Sequence, residues 1–141
     1  MAFEIVLDTN VVISGLRSRL GASFRVLDLL GDPRFRAHLS VPLLFEYEAV
    51  AKRSEARVPF SAAEIDDFLD SVCEVTRHQE IFFLWRPYLR DAGDDLVLEV
   101  AIAGGCSYIV THNLRDFAGA EKFGVTAVTP QQFLRLMGES K

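Results

Sequence analysis

Five acidic residues stand out by where they fall along the chain. Asp8 follows directly on the apolar run Phe3 to Leu7, and Glu46 lies shortly after Pro42 in a stretch of helical spacing. Asp94 and Asp95 stand together ahead of another such stretch, and Asp116 comes just after the apolar run Ser107 to Thr111. Carboxylates brought together repel one another and lose hydration, so a gathered set needs a counter-charge. No Cys or His is interleaved at metal-ligand spacing, and an oxygen-only donor set suits Mg2+ or Mn2+. Such an ion polarises phosphoryl oxygens and lowers the pKa of a bound water. The chemistry these residues point to is metal-assisted phosphodiester hydrolysis.

Each acid also has an ordinary use. Asp8 suits a turn or a helix N-cap, and Asp94 and Asp95 suit an N-cap and a first-turn acid. Glu46 could be as solvated as Glu48, and Asp116 could cap the turn at Phe117. Their joint placement sets them apart. Thr9, Ser14 and Thr111 offer hydroxyl ligands, but no His/Asp set accompanies them for nucleophilic catalysis. His38 falls in an expected strand and His78 beside acids and an arginine. His112 lies close enough to the acids to touch a substrate, although a structural role is the simpler reading. Neither a GxGxxG loop nor a Walker lysine loop is present, and the eleven Phe read as core rather than as a base-stacking platform.

The elements that must position these residues alternate between strand and helix. Phe3 to Leu7 reads as a strand covered on both faces. Leu20, Phe24, Leu27 and Leu30 then recur at helical spacing up to Gly31-Asp32-Pro33. Arg36 to Val41 is expected as a second strand, followed by a helix from Pro42 through Leu43, Leu44, Tyr47 and Val50. Ser61-Ala-Ala-Glu64 has the form of a capping box and opens a helix through Ile65, Phe68, Leu69 and Val72. A β-leaning stretch, Glu80 to Trp85, follows. Asp94-Asp95 begin a helix that closes at Gly104-Gly105; Ser107 to Thr111 and Thr126 to Thr129 read as strands, and Pro130 starts a closing helix.

This alternation predicts a parallel sheet with helices on both faces, a three-layer α/β/α sandwich. Ligands in such sheets bind beyond the carboxyl ends of the strands, where strand order reverses. Every candidate acid follows a strand or opens a helix, so all are expected on that one rim.

The chain has 141 residues, half of them hydrophobic and a quarter charged, which predicts one globular domain over residues 1–141. No linker, internal repeat or low-complexity segment interrupts it. The longest apolar runs, such as Ile81 to Trp85, fall far short of the ~20 residues that cross a bilayer. Asp8 interrupts the first apolar stretch before it could serve as a signal, and two cysteines are too few for a disulfide scaffold. A cytoplasmic location is the expectation. The net charge of −5 speaks against a protein that coats nucleic acid. Setting aside Asp8, Glu46, Asp94, Asp95 and Asp116 leaves acids and bases equal, however, so a nucleic-acid substrate stays open.

These residues together resemble the PIN-domain family over nearly the full chain. Ile5-Val-Leu-Asp8-Thr9-Asn10 looks like its opening strand and Asp-Thr-Asn signature, and Glu46 falls where its second acid is expected. Arg90-Asp91-Ala-Gly-Asp94-Asp95 is similar to its third acidic element, and Thr111-His-Asn113-Leu-Arg-Asp116-Phe117 to its last motif, Thr-x-Asn-x-x-Asp-Phe. The resemblance implies a Rossmann-like fold and an Mg2+- or Mn2+-dependent endoribonuclease acting on single-stranded RNA. It also implies a toxin of a toxin–antitoxin pair, often homodimeric and held inactive by a cognate antitoxin.

Two departures bear on the site. Asn113 stands where many relatives of the subgroup with the Asp-Asp helix start carry Asp, which shifts the fourth acid to Asp116. Counting back from Ala101, Asp94 takes the better-matching position, leaving Asp95 as a neighbour or water-mediated ligand. The expected metal set is then Asp8, Glu46, Asp94, Asp95 and Asp116, with Asp8, Glu46, Asp94 and Asp116 catalytic. Thr9 and Asn10 would orient Asp8, and Thr111 and Asn113 would position water or phosphate. Arg17, Arg19, Arg90 and Arg115 are the candidates for backbone phosphates.

Two other readings compete. A non-catalytic PIN-like module would bind RNA or an antitoxin without cutting. A phosphotransfer enzyme of the haloacid-dehalogenase type would need a second acid where Asn10 stands, and a lysine before the acidic pair. No lysine lies between Lys52 and Lys122.

Overall fold

The structure is a computed structural model and describes residues 2–81, 89 and 92–139. Its centre is a parallel sheet of β1 (Phe3–Leu7), β2 (Phe35–Leu39), β3 (Arg77–His78), β4 (Tyr108–Val110) and β5 (Thr126–Val128). The order across the sheet is β3-β2-β1-β4-β5. The chain builds outward from β1 to β2 and β3, then returns to lay β4 and β5 on the other side. The reversal falls between β1 and β4, where Ile5, Val6 and Leu7 pair with Tyr108, Ile109 and Val110. In a doubly wound sheet that crevice, at the carboxyl ends of the strands, is the place for a site.

Among the described residues, six α-helices flank the sheet: α1 (Thr9–Arg17), α2 (Ala22–Asp28), α3 (Val41–Ala51), α4 (Ala62–Val75), α5 (Ala92–Ala103) and α6 (Pro130–Leu136). The result is the expected three-layer arrangement. Its core joins the apolar strand residues Ile5, Val6, Ile109 and Val110 to Val11, Val26, Leu43, Leu98 and Phe133 from the helices. The capping box foreseen at Ser61 is formed in both directions, and a second, Thr129 with Gln132, opens α6. Both cysteines are free thiols, and no helix among the described residues is long and apolar enough to cross a membrane.

Three elements differ from expectation. Residues 9–17, with no helix foreseen, form α1: the β-branched run Val11-Val12-Ile13 disfavours a helix intrinsically, but Asp8 caps it and those three side chains are buried. The second strand ends at Leu39 rather than Val41, because the Ser40 hydroxyl accepts from the Leu43 N–H at 3.2 Å and starts α3. Beyond α4 the strand is the two-residue β3, with Glu80 and Ile81 outside it; 82–85 of the expected β-leaning stretch lie outside the described residues.

Candidate functional site

Asp8 is placed by the end of β1. Its backbone N–H donates to the Val110 carbonyl at 2.9 Å, which extends the β1–β4 ladder by one rung, and its extended φ and ψ make it the N-cap of α1. The side chain is held from two sides. The Thr9 N–H donates to Oδ1 at 2.8 Å, and the Thr111 hydroxyl donates to Oδ2 at 2.7 Å. Thr111 follows β4 and is fully buried, so it joins the two central strand ends through the carboxylate. Its Oγ1 accepts from the Asn113 N–H at 3.0 Å and from Asn10 Nδ2 at 3.5 Å, while Asn10 Oδ1 accepts from the His112 N–H at 3.2 Å. Thr9, Asn10, Thr111 and Asn113 thus form one network around Asp8; Thr111, expected to position water or phosphate, is buried and holds Asp8 instead.

Tyr47, next to Glu46, is buried beneath this network and donates its hydroxyl to the Leu7 carbonyl. Burial, and secondarily the negative Asp8, push the phenol well above its ordinary pKa, so the hydroxyl remains a donor.

Over this floor opens a cavity of about 610 Å³ lined by Asp8, Thr9, Asn10, Glu46, Asp94, Asp116 and His112, among others. The four acids expected to be catalytic therefore face one space, although they come from the end of β1, the middle of α3, the first turn of α5 and a 3-10 turn (Leu114–Phe117). Among the described residues, Glu55 adds a fifth carboxylate, and the lining cations are Arg17 and Arg53. Asp95 points elsewhere: it is 1% exposed, is not among the lining residues, and its Oδ1 accepts from the Leu89 N–H at 2.8 Å.

The candidate phosphate-binding arginines divide. Arg17 lines the cavity while its Nε donates to the Ala56 carbonyl at 2.9 Å. Arg19 lines a different, largely apolar groove between α2 and α4, and Arg115 is exposed outside both. Arg90 lies outside the described residues.

The donor set fits a divalent cation by its chemistry: among the described residues the lining carboxylates outnumber the arginines, and there is room for a hydrated ion. Among the described residues no group of three or more His, Cys, Asp and Glu stands close enough to hold an ion unaided. Mg2+ tolerates this, since it keeps several waters and needs only one or two carboxylates directly.

Sequence reasoning missed Glu55, Arg53, Tyr47 and Ser23. Glu55 and Arg53 belong to an exposed turn after α3 that carries no periodic signal. Ser23 lies on α2, with its Oγ 2.6 Å from His112 Nε2. His112 was singled out as near the rim, and it does line the cavity; partial desolvation lowers its pKa.

A parallel sheet with this strand order, carrying carboxylates over its switch point, defines the class to which the comparisons also lead. The sequence pattern described as "PIN domain" matches residues 4–115, and the chain belongs to the PIN-domain family. PIN domains are in general nucleases. Among solved structures, the chain is similar to a chain in the crystal structure of VapBC2 from Rickettsia felis bound to a DNA fragment from their promoter. The TM-score is 0.61 at 16% identity, covering 90% of this chain and 98% of that one. No curated protein matches.

Proposed function

We propose that this protein is a divalent-metal-dependent endoribonuclease that hydrolyses phosphodiester bonds of single-stranded RNA, and the toxin of a toxin–antitoxin pair. One observation carries the reading: Asp8, Glu46, Asp94 and Asp116, remote in sequence, line one cavity at the switch point. Of Asp8, Glu46, Asp94 and Asp116, one or two would hold the ion directly and the others through its bound waters. A bound ion would supply positive charge near the phosphoryl oxygens and lower the pKa of a bound water.

The chain's own groups do the positioning. Thr9 and Thr111 fix both Asp8 oxygens, so that carboxylate needs no reorientation when its partners arrive. Asn10 sets the backbone of His112, and Arg17 and Arg53 face the cavity as counter-charges for a bound strand. Cleavage of labelled single strands with Mn2+ tests the reading. We expect RNA cut internally by the wild type and left intact by Asp8→Asn; undiminished cutting by that variant would assign the activity elsewhere.

The antitoxin part rests on the groove of about 540 Å³ lined by Leu16, Phe24, Leu27, Phe60, Ile65 and Phe68. The VapBC2 likeness supports a partner of that kind. Protection of these segments from proteolysis in a complex is the expected result, and unchanged cleavage there counts against it. A homodimer belongs to the same reading and is checked by sedimentation. The wide placing of the carboxylates favours one rival, a PIN-like module that binds without cutting. A wild type with no saturable Mn2+ site would select it.

A further inference from the structure

Ser23 is buried near the start of α2, and its Oγ has one hydrogen-bond partner among the described residues, His112 Nε2 at 2.6 Å. Gly15 lets α2 come this close: a Cβ there would lie 2.4 Å from Leu27 Cδ1 and 3.1 Å from the Ser23 carbonyl oxygen. The His112 backbone is fixed independently by Asn10. The ring is exposed at the cavity beside Asp8, Asp94 and Asp116, and its Nδ1 has no hydrogen-bond partner among the described residues.

The buried hydroxyl needs an acceptor for its proton, and Nε2 is the one within reach. Nε2 is then unprotonated, so the neutral ring carries its proton on Nδ1. We propose that Ser23 holds His112 in the Nδ1–H tautomer, and that this N–H donates to a non-bridging phosphate oxygen of a strand bound in the cavity. His112 is a substrate-binding residue and Ser23 its positioning residue. A phosphate oxygen only accepts, so it needs a donor, and a neutral donor does not compete with a cation drawn in by the carboxylates. Partial desolvation favours the uncharged ring. The inference deepens the nuclease reading and rests on it for the nature of the strand.

Nitrogen NMR of the 15N-histidine protein reads the tautomer without any substrate. The expected spectrum has His112 protonated at Nδ1 and bare at Nε2, with Ser23→Ala giving a mixture. Binding of a labelled single-stranded RNA, with Ca2+ in place of Mn2+, reads the contact. His112→Gln keeps an amide near Nε2 but no donor near Nδ1, and its Kd should rise about tenfold, the scale of one lost hydrogen bond. His112→Asn puts an amide N–H near the Nδ1 position and should recover most of that loss. An Nε2–H tautomer in the wild type, or the wild-type Kd in the Gln variant, overturns the proposal. A protein that shows these Kd differences yet cuts nothing keeps the contact and removes the nuclease reading. One that cuts while the Gln variant binds normally does the reverse.

Discussion

The two ends of β1 hold carboxylates in opposite circumstances. Near its start, Glu4 pairs in register with Arg36 and accepts from that guanidinium, and its Oε1 lies 2.7 Å from His38 Nε2. Gln79 extends the chain of contacts, with its Nε2 3.0 Å from His38 Nδ1. Arg36 above all, against the opposing cost of burial and with help from His38, holds the Glu4 carboxyl down to about 2. Just past the other end of the strand, two of Asp8's hydrogen bonds come from neutral donors, and Glu46 and Asp116 across the cavity form no salt bridge among the described residues. Among the described residues, Glu4 meets a guanidinium at one end of the strand, while five carboxylates share a cavity with two arginines at the other. Carboxylates matched one to one with cations secure the fold, whereas a set that outnumbers its cations is arranged for something that binds.

The largest effect that separates the two ends is expected from Asp8→Asn. Cleavage should fall about 100-fold or more, on the scale of losing one electrostatic group at a reacting centre. The helix cap should persist, but one amide oxygen cannot accept from both Thr9 N–H and the Thr111 hydroxyl, so stability should fall by about 1 kcal/mol. The adjacent pair in α5 sharpens the contrast. Asp94→Asn should lower cleavage, while Asp95→Asn should mainly lower stability by weakening its bond to the Leu89 N–H.

At the paired end, Glu4→Gln should cost about 1–3 kcal/mol in urea unfolding and leave kcat/KM unchanged. Gly104→Ala attacks the same cluster from the turn after α5. A Cβ there would lie 2.5 Å from His38 Nδ1, and overpacking of that kind costs about 1–3 kcal/mol. The smallest effect is in pH. Glu4's folded pKa lies below its ordinary 4.5, so its contribution is complete above that value and is lost as pH falls towards about 2. The wild-type melting temperature should therefore drop more steeply across that window than that of Glu4→Gln. Asp32, held down to about 2 chiefly by Arg34, keeps part of the slope in both proteins.

Much of this contrast was legible in the sequence, for local reasons. Asp8 directly follows an apolar run, and a strand end leading into an N-cap places a carboxylate from neighbouring residues alone. The helices at Pro42, Ser61 and Pro130 announced themselves through their start signals. What escaped depends on contacts between distant segments. Helix α1 forms against the preference of Val11, Val12 and Ile13, because burial of that face outweighs propensity. The pairings of Ser23 with His112 and of Tyr47 with Leu7, and the turn carrying Arg53 and Glu55, arise from tertiary packing with no periodic trace. Asp94 and Asp95 differ in the sequence only by their spacing from Ala101; the rotation of α5 turns the first to the cavity and the second to the protein interior.

Calorimetric titration of Mn2+ into the wild type and into Asp8→Asn tests the accumulation of charge most directly. A saturable site in the wild type that is lost or much weakened in the variant is the predicted result. Heats that never saturate in the wild type, or a site of equal affinity in both proteins, would contradict it.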